Sequence, residues 1–141
     1  MKKIIFSLIV VVIAIASQSF YIQAGSSKSI QDGQSVYATY CMSCHMENGE
    51  GVEGAFPSLV KTGNLKDKNK LVQIILSGMR GPIVVKGVKY NAEMASISLS
   101  DQEVVDVINF IRNSWGNKAP LMKLAEVPLA KKAVLKGYQA Y

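Results

Sequence analysis

Apolar positions recur at helical spacing in three stretches of this chain, and between them the periodicity is lost. Ile30, Val36, Tyr37 and Tyr40 mark one face of a helix over 30–40. Gly33 falls inside it, at a cost of about 1 kcal/mol against alanine unless close packing forbids a side chain there. Asp67 is placed to cap a second helix over 68–77, with Leu71, Ile74 and Ile75 inward and Gly78 as terminator. Ser100-Asp101-Gln102-Glu103 has the form of a capping box. It opens a third helix, striped by Val104, Val105, Ile108 and Ile111 and closed by Trp115-Gly116-Asn117. The stretch from Glu47 to Gly54 reads as a glycine-rich loop, and Gly78 to Ser98 holds at most a short strand at Ile83-Val84-Val85. The pattern predicts an all-α fold of three to four short helices. Their stripes make a poor core alone, and long loops of this kind need something to pack on, a place that a large apolar cofactor would fill.

The N-terminus has a different pattern. Met1-Lys2-Lys3 is followed by the apolar run Ile4 to Ala16, then by Ser17, Gln18 and Ser19, with small-residue exits at Ala14-Ile15-Ala16 and Ala24-Gly25. This is the shape of a secretory signal peptide over 1–24. The rival is an uncleaved anchor, since Ile4 to Ala24 nearly reaches the ~20 residues that span a bilayer. The expected organisation is therefore a leader over 1–24, a domain over 25–117 and a basic extension over 118–141. Leu124, Val127 and Leu129 in that extension form a strip that either packs on the domain or engages a partner.

Charge and cysteine content narrow the chemistry. The formal net charge is +6, and removal of Lys2 and Lys3 with the leader lowers it to +4. No run of five basic residues and no nucleic-acid motif is present, which argues against nucleic-acid binding. Export implies an oxidising periplasmic or extracellular space, so two closely spaced thiols require a chemical reason. A membrane association is expected only if the N-terminal segment is retained.

Both cysteines and the single histidine fall in five residues, Cys41-Met42-Ser43-Cys44-His45. Cys-x-x-Cys-His is the attachment signature of c-type haem. Two thiols three apart on a helical turn can each bond one vinyl group of a porphyrin, and the next residue offers an imidazole to the iron. A thioredoxin-like redox pair normally sits in a βαβ unit, and a zinc site needs about four ligands. Neither context is present in the sequence.

With no second histidine, a methionine sulfur is the expected sixth ligand, and Met-His ligation raises the iron's potential. Met42 and Met46 lie too near His45, and Met122 lies in the tail. Met79 and Met94 remain. Met94, in the aperiodic loop before the last helix, is favoured over Met79, whose place beside Gly78 at a helix end also suits simple packing.

From Gln31 to Asn117 the chain resembles a class I cytochrome c of the short bacterial kind. The resemblance rests on Gly33, Tyr37, the Cys41–His45 motif, Gly49-Glu50-Gly51 and Phe56-Pro57-Ser58-Leu59. It continues through Tyr90-Asn91-Ala92-Glu93-Met94, the capping box and the Trp115-Gly116-Asn117 close. It implies a cytochrome c-like fold, with short helices wrapped around one covalently bound haem c. It implies a helix crossing at Gly33, Tyr37 and Phe110, a Pro57 carbonyl aimed at the outer N–H of His45, and His45 and Met94 as axial ligands. Arg80, Tyr90 and Trp115 are candidates to contact the haem or its propionates, with solvation or packing as their alternative roles. The implied function is one-electron transfer between redox protein partners, as a soluble carrier or a subunit of a respiratory complex, with no catalysis of its own. Ala95 departs from the proline that commonly follows the ligand methionine. A softer iron–sulfur bond there gives the rival reading, a haem protein that binds small molecules as a sensor or enzyme.

Overall fold

The computed structural model describes residues 28–133; the expected leader over 1–24 and the end of the tail, Lys136 included, lie outside the described residues. Helix α1 runs over 28–40. Tyr37 is 2% exposed and Ile30 and Val36 are half-buried, but Tyr40 is 46% exposed and does not belong to the inner stripe. Three residues beyond Tyr37, it is turned about 60° away from the buried direction.

The short helix α2, Met42–His45, follows after a break at Cys41. A loop leads to a 3-10 turn at Gly63–Leu65 and then to α3, Lys68–Ser77. Asp67 caps α3 by accepting from the Lys70 amide at 3.1 Å, and Gly78 ends it at φ +69°. Helix α4, Asp101–Asn113, opens with the expected capping box, Ser100 and Glu103 bonding each other's backbone amides.

Between α3 and α4 the chain makes an antiparallel hairpin, β1 at Ile83–Val85 and β2 at Val88–Tyr90. The fold is thus mostly helical but not purely so. The second strand is specified by the two-residue turn Lys86-Gly87, both residues at positive φ, the geometry that matches strand twist. Ile83, Val85, Val88 and Tyr90 share one face of this hairpin, and Val84 and Lys89 occupy the exposed other face.

The core is centred on α4, which is buried from Val104 to Arg112 and packs against α1 and α3. At the α1–α4 crossing a Cβ on Gly33 would lie 1.9 Å from the Asp106 carbonyl oxygen. The helices therefore meet through backbone, which accounts for a glycine in mid-helix. Tyr37 and Phe110 pack beside it, tilted at 48° with ring centroids 5.3 Å apart.

The segment after Asn117 closes over the far side. A 3-10 turn at Leu124–Glu126 leads into α5, Val127–Lys132, which packs on α3. Of the strip Leu124, Val127 and Leu129, only Val127 points inward; Leu129 is 73% exposed. Met122, Val127 and Ala130 join the apolar core instead. Polar groups of the domain reach the tail's backbone: buried Asn109 exchanges hydrogen bonds with Met122, buried Arg112 donates to the Pro120 carbonyl as well as to that of Leu65, and half-buried Gln73 donates to those of Ala130 and Ala133. Ion pairs Lys68–Glu126 and Lys131–Asp101 flank it. No helix among the described residues is long and apolar enough to cross a membrane.

Candidate haem-attachment site

Cys41, at the N-cap of α2, and Cys44, one turn later, are both free thiols and both half-buried. Burial, reinforced by the neighbouring Cys44, pushes the Cys41 thiol up to about 11. Before haem is attached it is therefore protonated at neutral pH. His45 closes the same turn. Its Nδ1 lies 3.0 Å from the Pro57 carbonyl oxygen. A carbonyl can only accept, so the Nδ1 carries the proton and Nε2 keeps a free lone pair. Burial lowers the His45 pKa from its ordinary value, against the opposing pull of the Pro57 bond. The ring is held as neutral imidazole, the form that binds a metal.

The loop that carries Pro57 is fixed at several points. The Gly51 amide donates to the His45 carbonyl at 3.0 Å, and Leu59 donates to Gly49 at 2.7 Å. Val52 and Phe56 pair as an antiparallel bridge. Gly51 lies at φ +68°, and a Cβ there would fall 2.3 Å from the Phe56 oxygen and 2.8 Å from the Pro57 carbonyl carbon. The Tyr37 hydroxyl donates to the Met46 carbonyl at 2.6 Å, tying α1 to the residue after the histidine. Asn117 completes the frame: it accepts from the Lys61 amide and donates to the Leu59 and Ile111 carbonyls, so the end of α4 clamps the segment after Pro57.

The other candidates are distributed around this frame. Trp115 makes ring contacts with Tyr37 at 5.1 Å and Phe110 at 5.2 Å, and its ring fills the space where a Gly49 Cβ would stand. Its ring packs in support of the histidine loop. Tyr90 ends β2 and is buried; with Val85 it lies outside the main apolar cluster. Arg80 is exposed. Met79 and Met94, rivals in the sequence, face each other across a two-residue bridge with paired amide–carbonyl bonds of 2.8 Å. That pairing, the Gly51 approach and the Tyr37–Met46 bond went unread in the sequence. The constant offset between Met79–Met94 and the hairpin pairs was the available signal for the first of them.

Among the described residues no three His, Cys, Asp or Glu side chains gather to hold a metal ion on their own. Two free thiols on one helical turn, beside a neutral imidazole with one nitrogen fixed and the other open, suit a porphyrin that brings its own iron. The fold and the site thus define a polypeptide frame for a single covalently attached haem.

Comparison with known proteins agrees. The cytochrome c family model matches residues 30–115. The chain is 36% identical over 107 residues to a cytochrome c-552 of Thermus thermophilus, covering 70% of each protein. It is 39% identical over 94 residues to a second Thermus thermophilus cytochrome c-552, 61% of this chain and 70% of that one. It is also 37% identical over 105 residues to the cytochrome c subunit of a quinone alcohol dehydrogenase from Gluconacetobacter polyoxogenes, matching 69% of this chain but 21% of that longer subunit. The chain belongs to the cytochrome c family, as a monohaem class I domain. It carries one covalent haem c on Cys41 and Cys44 and is a cytochrome c electron carrier.

Proposed function

We propose that this cytochrome works in the periplasm or another exported space, with its 1–24 leader removed, and that His45 and Met94 are the axial ligands of its iron. When bound, haem c supplies the Fe(III)/Fe(II) couple. The protein's part is to hold the ligands, exclude water and set the potential. The observation that carries this reading is the His45–Pro57 bond beside the thiol pair. Such a bond fixes the ring and strengthens it as a donor. Met94 is supported by its place in the paired segment between the hairpin and α4, with its amide and carbonyl both engaged. Partners are redox proteins that meet it through small interfaces, as electron-transfer encounters usually do. A dehydrogenase with a cytochrome subunit is one such class, by analogy with the Gluconacetobacter relative.

The test is the purified exported protein. Intact mass equal to the peptide from Gly25 plus one haem, together with a ferric sulfur-to-iron absorption band at the red end of the visible spectrum, supports the reading. A colourless product of bare-peptide mass, made with a working maturation system, overturns attachment. A coloured product without that band, binding carbon monoxide rapidly when reduced, overturns the methionine ligand and favours an open-sided haem.

A further inference from the structure

The hairpin and the methionine bridge are one ladder. From the Ile83–Tyr90 pair, four residues back along one arm and four onward along the other lead to Met79 and Met94, which pair directly. The whole segment from Gly78 to Ser98 is therefore a long hairpin, interrupted at Gly81-Pro82 and closed again at its base.

The kind of pairing decides where the sulfurs lie. Met79 donates to the Met94 carbonyl and Met94 to that of Met79, both at 2.8 Å. Residues that exchange both bonds sit about 5.5 Å apart at Cα, with their side chains on one side of the ladder. Whatever Met94 faces, Met79 faces too. Both are half-buried, and neither belongs to the apolar cluster of α1, α3 and α4 or packs against it. The α1–α3–α4 cluster thus does not account for Met79. A methionine has three rotatable bonds and a thin, polarisable chain, so its sulfur can move several ångström while its backbone stays paired.

We infer that Met79 is a reserve axial thioether: when Met94 is lost or detached, the sulfur of Met79 takes the sixth position without opening the backbone bridge. This rests on Met94 as the resident ligand. Ala95 fits the arrangement, because without a proline ring the residues directly after Met94 are unstiffened, and the segment is next held by the Ile97 amide bond to Ile75 at 2.9 Å and by Ile97 and Leu99 packing on the core. A detached Met94 is thus a state this loop can visit, and the second sulfur keeps the site closed to water and small ligands.

The experiment uses the haem-loaded chain and the variants Met94→Ala, Met79→Ala and the double replacement, read by the ferric sulfur band and by carbon monoxide binding after reduction. Met79→Ala keeps the band with wild-type intensity. Met94→Ala keeps a band, shifted or weakened, and binds carbon monoxide at least tenfold more slowly than the double variant, which has no band. A complete loss of the band in Met94→Ala, with Met79→Ala unaffected, leaves the Met94 reading standing and overturns the reserve ligand. A band lost in Met79→Ala and unchanged in Met94→Ala overturns both. Should Met94→Ala fail to fold, proton NMR of the reduced wild-type protein decides. The Met79 methyl must be displaced upfield by the porphyrin ring current, by less than that of the ligated Met94, and a methyl at an ordinary shift overturns the inference.

Discussion

Replacing Gly33 by alanine tests whether the crossing of α1 and α4 is as tight as its backbone contact implies. On a solvent-facing helix this change stabilises by about 1 kcal/mol, through helix propensity alone. Here the new Cβ would stand 1.9 Å from the Asp106 oxygen, 2.4 Å from its carbonyl carbon and 2.8 Å from the Phe110 Cβ. None of these atoms can rotate out of the way. Ordinary contact starts near 3.4 Å, so α4 must retreat by about 1.5 Å at this point. Overpacking of a well-packed core costs roughly 1–3 kcal/mol. The retreat also opens the Tyr37 contacts with Phe110 and Trp115, now at 5.3 and 5.1 Å. Each such aromatic pair contributes about 0.5–1.5 kcal/mol beyond its burial. The net expectation is a destabilisation of about 3 kcal/mol, a large part of a typical ~5–15 kcal/mol total. Guanidinium unfolding of the haem-loaded protein, followed by far-UV circular dichroism, measures it at constant haem content. A loss below about 1 kcal/mol, or any gain, would refute the argument, since propensity alone predicts the gain.

Other changes read other parts of the frame. Gly51→Ala drives a Cβ into the Phe56 and Pro57 carbonyls and displaces the acceptor of the His45 N–H; a weaker imidazole donor favours Fe(III) less, so the midpoint potential should rise in a redox titration. Asn109→Ala leaves the buried Met122 amide and carbonyl without their partner, which predicts a loss of about 2–4 kcal/mol and faster proteolysis within 118–126. The Glu126 carboxyl is held below its ordinary pKa by hydrogen bonds from Lys68 and the Lys123 amide. Its contribution, under about 1 kcal/mol for so exposed a pair, is complete above the ordinary carboxylate range and drains away as pH falls through the lowered value. Glu126→Gln should therefore lower the unfolding midpoint at pH 7 and leave it nearly unchanged at pH 3.

The three main helices, both N-caps and the haem motif were legible because each rests on local chemistry: a 3.6-residue stripe, a carboxylate or hydroxyl at the cap, a fixed spacing of sulfur and nitrogen. What escaped depended on residues distant in sequence. Asp106, Asn109 and Arg112 lie off the apolar stripe of α4, yet all three are buried, Asn109 to 1% and Arg112 to 6% exposed. The group that covers the last two is the segment from Pro120 to Met122, which composition alone assigned to a basic tail. Val72 fell between the anticipated stripe positions for the same reason, since α5 packs on α3 and widens its buried face. The strand at Val88–Tyr90 was missed because its turn is Lys-Gly, and lysine seldom adopts the positive φ that position 86 takes here.

With His45 and Met94 as the proposed axial ligands, the two sides of the haem site are built to different standards of rigidity, and the difference follows from what each ligand would be. A histidine ligand has its donor strength set by the group bonded to its other nitrogen, so an error in that bond changes the metal's electronics directly. The Pro57 carbonyl is accordingly fixed by a glycine approach with no room for a methyl group, by a bridge on one side and by the end of α4 on the other. A thioether has no second nitrogen to tune, and its long chain tolerates displacement of its backbone. The methionine arm therefore needs only to stay nearby. Two backbone bonds between Met79 and Met94, and one from Ile97 to Ile75, meet that lesser requirement without the helix end or the glycine approach that holds Pro57.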